Sequence, residues 1–281
     1  PGGWGAVSAQ HAAKLSVFDF TFTLTTTYTF WSGILGGTFL TLASHGTDQL
    51  MVQRLLAAPN LRSSQRALIA SGFIVFAQFV IFLLVGVLLY AHYTAPGNAL
   101  PEAVAGHNDR IFPLYIVERL PSGLSGLMVA GVLAAAMSTS SATLNSLAAS
   151  TVVDFYQPLR GGSDDPQALL RRSRWTTVLW GFILIGLAML ARAWGPVLEA
   201  GLTIASITYG ALLGLFLLGR LAPRATSTGA AAGMAAGLAV MLYVFFGTGL
   251  AWTWYVLLGT LVTFSIGLAV SAALPPSGAK R

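Results

Sequence analysis

Long apolar stretches, each roughly the ~20 residues a helix needs to cross a bilayer, alternate with short arginine-bearing segments along nearly the whole chain. Seven stand out, near residues 29–53, 67–92, 122–153, 175–193, 197–219, 227–247 and 252–274. No charge falls between Arg174 and Arg192, or between Arg224 and Lys280, and the second gap is long enough for two spans. The pattern predicts an all-α polytopic membrane protein with about seven transmembrane helices. Residues 1–28, rich in Thr, Gly and aromatics, read as an interfacial loop. The segment 95–121 carries Pro96, Pro101, Pro113 and Pro121 around an amphipathic stretch, Arg110–Leu120, which predicts a short helix lying on the surface.

Two of the apolar stretches are interrupted by polar residues. In the first, Phe30 to Ala43 is followed by Ser44-His45-Gly46-Thr47-Asp48-Gln49 before Leu50 resumes the apolar run. A span ending at Ala43 would be short of the usual ~20 residues, and Arg54 with Arg62 and Arg66 marks a later boundary. A hinge between two half-helices accounts for both facts, and broken helices at membrane depth line cavities that bind substrate or ion. The rival is an ordinary interfacial loop after Ala43. Asp48 would be the one carboxylate near the middle of a span, which makes it a functional candidate. His45 beside it can either bond a substrate or cap loose backbone.

The third stretch, Leu124 to Val153, is uncharged but contains Ala134-Ala135-Ala136-Met137-Ser138-Thr139-Ser140-Ser141-Ala142-Thr143-Leu144-Asn145-Ser146. Polar side chains without partners are costly in hydrocarbon, so these hydroxyls should face other helices, water or an ion. On a helix, Ser138 and Thr139 sit one turn beyond Ala134 and Ala135, and the carbonyl nearest the Ser138 hydroxyl should be that of Ala135. Two hydroxyl oxygens and one carbonyl oxygen make half of an oxygen-ligand site suited to a hard cation such as sodium. The same spacing, Ala134…Ser138…Ala142, also serves close helix packing, and an ion site between helices would require both.

Composition narrows the class further. Charged residues make up 9% of the 281 residues, against about 25% in a soluble domain, and the mean hydropathy is +0.73. Cysteine is absent, which excludes disulfides, thiolate metal sites and cysteine nucleophiles. The net charge of +6 is scattered through loops, a topology signal and not a nucleic-acid footprint. Arg54, Arg62, Arg66, Arg160, Arg171, Arg172, Arg174, Arg220, Arg224, Lys280 and Arg281 fall on one side of the predicted spans, and Lys14, Arg110, Arg119 and Arg192 on the other. By the positive-inside rule the N-terminus is outside and the C-terminus cytoplasmic. Basic residues are mostly arginine, in keeping with a bacterial genome and hence an inner-membrane location. The chain opens Pro1-Gly2-Gly3-Trp4 without initiator Met or signal peptide, so a fragment of a longer protein is expected.

Other candidates are weaker. His92 and His107 lack metal-ligand spacing; Glu199 and Asp154 lie near span ends; Trp252, Trp254 and Tyr255 form an interfacial aromatic belt. No nucleophile elbow, triad context or phosphate-cradling glycine loop is present, which argues against an enzyme.

The segment Leu120-Pro121-Ser122-Gly123-Leu124-Ser125-Gly126-Leu127-Met128-Val129-Ala130-Gly131, followed by Ala134–Tyr156, resembles the hallmark segment of the sodium:solute symporter family. Gly46-Thr47-Asp48-Gln49 with Val52-Gln53-Arg54 resembles that family's broken substrate helix, and Ser206-Ile207-Thr208-Tyr209-Gly210 leading to Phe216-Leu217-Leu218-Gly219 its tenth core helix. The resemblance implies a LeuT-like fold, with this chain as the second inverted repeat (core helices six to ten, residues 29–219, including an external loop 93–121 and a cytoplasmic loop 155–174) and two trailing helices with a short tail at 220–281. It implies sodium ligation by the Ser138 and Thr139 hydroxyls and the Ala135 carbonyl, and solute contact near Asp48 and Gln49. The function implied is sodium-coupled symport of a small solute. Sugar-transporting members carry a lysine in the seventh core helix, where this chain has Val75. The first core helix, which supplies further sodium ligands in the family, would belong to a missing N-terminal repeat. Two rivals remain: a transporter-like sensor reporting to a signalling partner, and a membrane subunit whose hydroxyls only pack.

Overall fold

The computed structural model of the chain describes residues 3–274, apart from 96, 99, 101, 105, 161–164 and 192–195. Pro96 and Pro101 of the proline-bearing segment, and Arg192, Lys280 and Arg281 of the topology assignment, lie outside the described residues. Among the latter there are helices and turns but no strand. In chain order they are α1 (Gly3–Gln10), α2 (Gly37–Gly46), α3 (Gln49–Leu56), α4 (Leu61–Thr94), α5 (Ile111–Arg119), α6 (Ser122–Ser150), α7 (Gln157–Arg160), α8 (Pro166–Ala191), α9 (Val197–Leu221), α10 (Ser227–Gly247) and α11 (Tyr255–Ala273). Six of the described helices, α4, α6, α8, α9, α10 and α11, are long and apolar enough to cross a membrane. The first predicted span is the broken one: a π turn (Ser32–Gly36) runs into α2, and α3 follows after a gap. The 1–28 segment is less irregular than its composition suggests, since α1 and a 3₁₀ turn (Ala12–Leu15) form within it.

The chain forms two compact units, residues 1–79 with 198–281, and residues 80–197. In the first unit, α9, α10 and α11 pack through small residues. A methyl built at Gly210 of α9 would lie 2.9 Å from the Gly259 Cα of α11, and one at Gly233 of α10 would lie 2.5 Å from the Thr263 carbonyl oxygen. The backbones touch, which only glycine permits, and such small-residue seams are how helices associate where no hydrophobic effect separates side chain from solvent. A second core cluster joins α2 to this group: Ala43 is fully buried against Leu213 and Val256, with Phe39, Leu40, Tyr209 and Leu217 around them. At the start of the π turn the buried Ser32 hydroxyl donates to the Thr27 carbonyl at 2.7 Å and accepts from the Thr29 amide at 3.0 Å.

In the second unit, α6 and α8 pack together. Where α6 ends, a π turn (Thr151–Tyr156) widens the helix, and the Trp180 indole of α8 donates to the Thr151 hydroxyl at 2.9 Å. The Arg172 guanidinium lies 4.6 Å from the centre of the Tyr156 ring, an attractive cation–π arrangement. The two ends of α6 differ in cover: Ala148 is buried, whereas residues 131–141 are exposed without exception.

Candidate functional site

The break in the first span is narrower than the six-residue hinge the polar run suggests. Ser44, His45 and Gly46 remain helical because their polar groups are satisfied inside α2. The Ser44 hydroxyl lies 3.2 Å from the Thr41 carbonyl, and His45 Nδ1 lies 2.9 Å from the Ser44 hydroxyl and 3.2 Å from the Thr41 carbonyl. Only Thr47 and Asp48 leave the helix. Thr47 closes α2 by donating its hydroxyl to the Ala43 carbonyl at 2.7 Å, and Asp48 is extended, with φ −73° and ψ 122°. Its Oδ1 accepts the Leu50 amide at 2.8 Å and so caps the N-terminus of α3, where a carboxylate is favoured both by hydrogen bonding and by the helix dipole.

The second carboxylate oxygen of Asp48 is also engaged. Tyr209 of α9 donates its hydroxyl to Oδ2 at 2.6 Å, across 161 residues of sequence. Asp48 therefore joins three things: the end of α2, the start of α3 and the middle of α9. Gln49, the first residue of α3, is exposed, and among the described residues no hydrogen bond holds its side chain. Of the three hinge residues expected to meet solute, then, His45 is bonded within its own helix, Asp48 is bonded on both oxygens, and Gln49 is free. Tyr209 is the site residue that sequence reasoning missed. It lay in a motif already singled out, but nothing local connects it to Asp48.

On α6, the Thr139 hydroxyl donates to the Ala135 carbonyl at 3.1 Å, and the Thr143 hydroxyl to the Thr139 carbonyl at 3.0 Å. This corrects the expected pairing of Ser138 with that carbonyl. A hydroxyl on a helix can reach the carbonyl three or four residues back; here it is Thr139, four residues on, that bonds the Ala135 carbonyl, and no hydrogen bond engages the Ser138 hydroxyl among the described residues. The three oxygens named from sequence thus share one exposed stretch of one helix, two of them within 3.1 Å of each other. That stretch carries polar groups that nothing among the described residues covers. The oxygens that α6 offers here, two hydroxyls and one backbone carbonyl, are all neutral.

Tyr28, just ahead of the first span, donates its hydroxyl to the Glu199 carboxylate at 2.7 Å at the start of α9. Partial desolvation of the phenol, together with that carboxylate, pushes its pKa up to about 12, although most of the side chain is exposed. The neutral phenol is the form the fold holds, so the tie is intact below the ordinary tyrosine value of about 10 and is lost as pH rises through about 12. In an absorbance titration at 295 nm, Tyr28→Phe should remove one tyrosine from the part of the curve that lies above the ordinary value of about 10.

Comparison with known proteins bears on this arrangement. The model of the sodium:solute symporter family matches residues 9–237. The chain is 32% identical over 238 residues to the sodium-coupled monocarboxylate transporter 1 of Mus musculus, covering 84% of this chain and 39% of that protein. It is 31% identical over 249 residues to the sodium/iodide cotransporter of Homo sapiens, covering 85% of this chain and 37% of that protein. The chain thus spans well under half the length of these curated relatives. A solved structure of a sodium-coupled sialic acid symporter, substrate-bound and outward-open, superposes with a TM-score of 0.81 over 99% of this chain and 57% of that one, at 24% identity, a likeness of fold.

Proposed function

The chain belongs to the sodium:solute symporter family, and we propose that it is the C-terminal part of a longer secondary transporter that uses the sodium gradient to drive uptake of a small solute. The Ala135 carbonyl and the Ser138 and Thr139 hydroxyls form one wall of the sodium site, and a preceding repeat of the same protein supplies the opposite wall. Solute docks at the broken helix, near His45, Asp48 and Gln49. Its N-terminus lies outside and its C-terminus in the cytoplasm of a bacterial inner membrane, as the uneven loop arginines suggest.

The observation that carries this reading is the uncovered hydroxyl stretch of α6. Lipid gives hydroxyls no hydrogen bonds; Thr139 and Thr143 bond backbone carbonyls of α6, but the other hydroxyls of the stretch gain at membrane depth from a polar counterpart. Neutral oxygens also suit transport: sodium is bound by several weak ligands and leaves when one wall moves away. Release of sodium into a low-sodium interior then returns the carrier and makes uptake run uphill. The relatives move monocarboxylate, iodide and sialic acid according to their names, and this spread supports a small solute without selecting one. Val75 in place of the lysine of sugar-transporting members weighs against a sugar.

The test is uptake of sugars, amino acids and carboxylates into vesicles holding the full-length protein, with and without an inward sodium gradient. At least one solute should accumulate only with the gradient, and the isolated 281-residue chain should accumulate none. Gradient-independent uptake of every solute, or coupled uptake by the isolated chain, would overturn the proposal.

A further inference from the structure

The two halves of the broken helix are held in different ways. α2 is anchored by packing, with Ala43 fully buried against Leu213 and Val256. α3 has no buried residue. Leu50, Val52 and Leu55 are only half-buried, and the hydrogen bonds that tie α3 to the first unit sit at its first turn, where Asp48 caps it and Tyr209 holds Asp48 at 2.6 Å. Tyr209 is itself rigidly placed: its ring packs with the Ala43, Leu213 and Val256 cluster, and α9 buries Ser206, Gly210, Ala211, Leu213, Gly214 and Leu218 around it.

We infer that Tyr209 is a positioning residue for transport, and that its hydrogen bond to Asp48 is the latch that fixes the α3 half of the broken helix against α9. A hydrogen bond weakens steeply once its geometry is lost, so releasing Tyr209 from Asp48 frees the start of α3 while α2 stays packed. A half-helix with no fully buried residue and such a tie at its first turn can move between a bonded and a swung-out position, the kind of element that alternating access needs. In this arrangement the Asp48 carboxylate is spent on the joint, and solute meets the hinge through other groups, the free Gln49 side chain first. The inference rests on the proposed transport function and adds to it a residue outside the hinge itself.

The test uses the full-length transporter and whichever solute it carries. Tyr209→Phe keeps the ring and its packing and removes only the hydroxyl. It should raise the solute KM roughly tenfold, the effect expected for losing a hydrogen bond to a charged group, while the sodium concentration for half-maximal uptake shifts less than twofold. Asp48→Asn should act in the same direction, and the double variant should be no worse than the more damaged single one, because the two side chains share one interaction. A cysteine introduced at Gln53 of α3 should react faster with a maleimide in the Tyr209→Phe background, a readout that needs no transport. An unchanged KM and labelling rate in Tyr209→Phe, or additive effects of the two substitutions, would overturn the latch. Absence of sodium-driven uptake by the unaltered protein would instead overturn the transport function, so the two failures are distinct.

Discussion

Replacing Ser138 and Thr139 together by alanine is expected to raise the sodium concentration for half-maximal uptake by at least tenfold in the full-length transporter. The pair supplies two of the three oxygens offered by α6, and each lost polar partner is worth about 1–3 kcal/mol, where about 1.4 kcal/mol is a factor of ten. Alanine is the better helix former and is smaller than serine or threonine, so it fits wherever they fit. The double variant should therefore insert and express normally, so that its defect is one of ion binding. Thr139→Val separates ligation from shape. It keeps the branched side chain and discards the oxygen that lies 3.1 Å from the Ala135 carbonyl, so it should behave like alanine, whereas Thr139→Ser should stay close to the unaltered protein. Sodium dependence that survives the double substitution intact would mean that the hydroxyls serve packing alone.

The second large effect is on stability. Gly233→Ala on α10 should destabilise the protein by about 2–4 kcal/mol, in the upper range for core overpacking, and lower its thermal midpoint in detergent accordingly. The added methyl would meet the Thr263 carbonyl at 2.5 Å and the Gly267 Cα and amide nitrogen at 2.9 Å. All three are backbone atoms, so no side chain can rotate away, and α10 and α11 must separate. Gly186→Ala on α8 is the matched control, because a methyl there has nothing within 4 Å. Helix propensity alone then favours alanine by up to about 1 kcal/mol. Equal thermal midpoints for the two variants would argue against a load on the α10–α11 seam.

Much of this architecture was visible along the chain because the signals are local. A membrane span declares itself by twenty or so apolar residues, and the interruption at Ser44–Gln49 and the hydroxyl run at 134–146 stand out against that background. What stayed hidden depends on contacts between distant residues. Six polar or helix-weakening residues made the hinge look long, but the hydrogen bonds within α2 that keep Ser44 and His45 helical follow from side-chain rotamers. The Tyr209–Asp48 bond spans 161 residues, and no spacing rule reaches that far. Glycines in an apolar run signal close approach without naming the partner: Gly233 meets Thr263 and Gly267, while Gly186 meets nothing. The π turns at Ser32–Gly36 and Thr151–Tyr156 add a residue to a helical turn, a difference too small for hydropathy to register.

The backing of α9 has a consequence for how the protein is made. α9 leaves the ribosome before α11, yet Gly210 beside Tyr209 reaches its final neighbour only when Gly259 has been synthesised. The last helices come as a hairpin with a short connection at 248–251, whose pairing is local in sequence and hence fast. Closure of this hairpin late in biosynthesis sets the station from which Tyr209 holds Asp48. A premature stop just after Arg224 would leave every residue named for ion or solute in place, and would still yield a carrier whose broken helix lacks a fixed point to swing from.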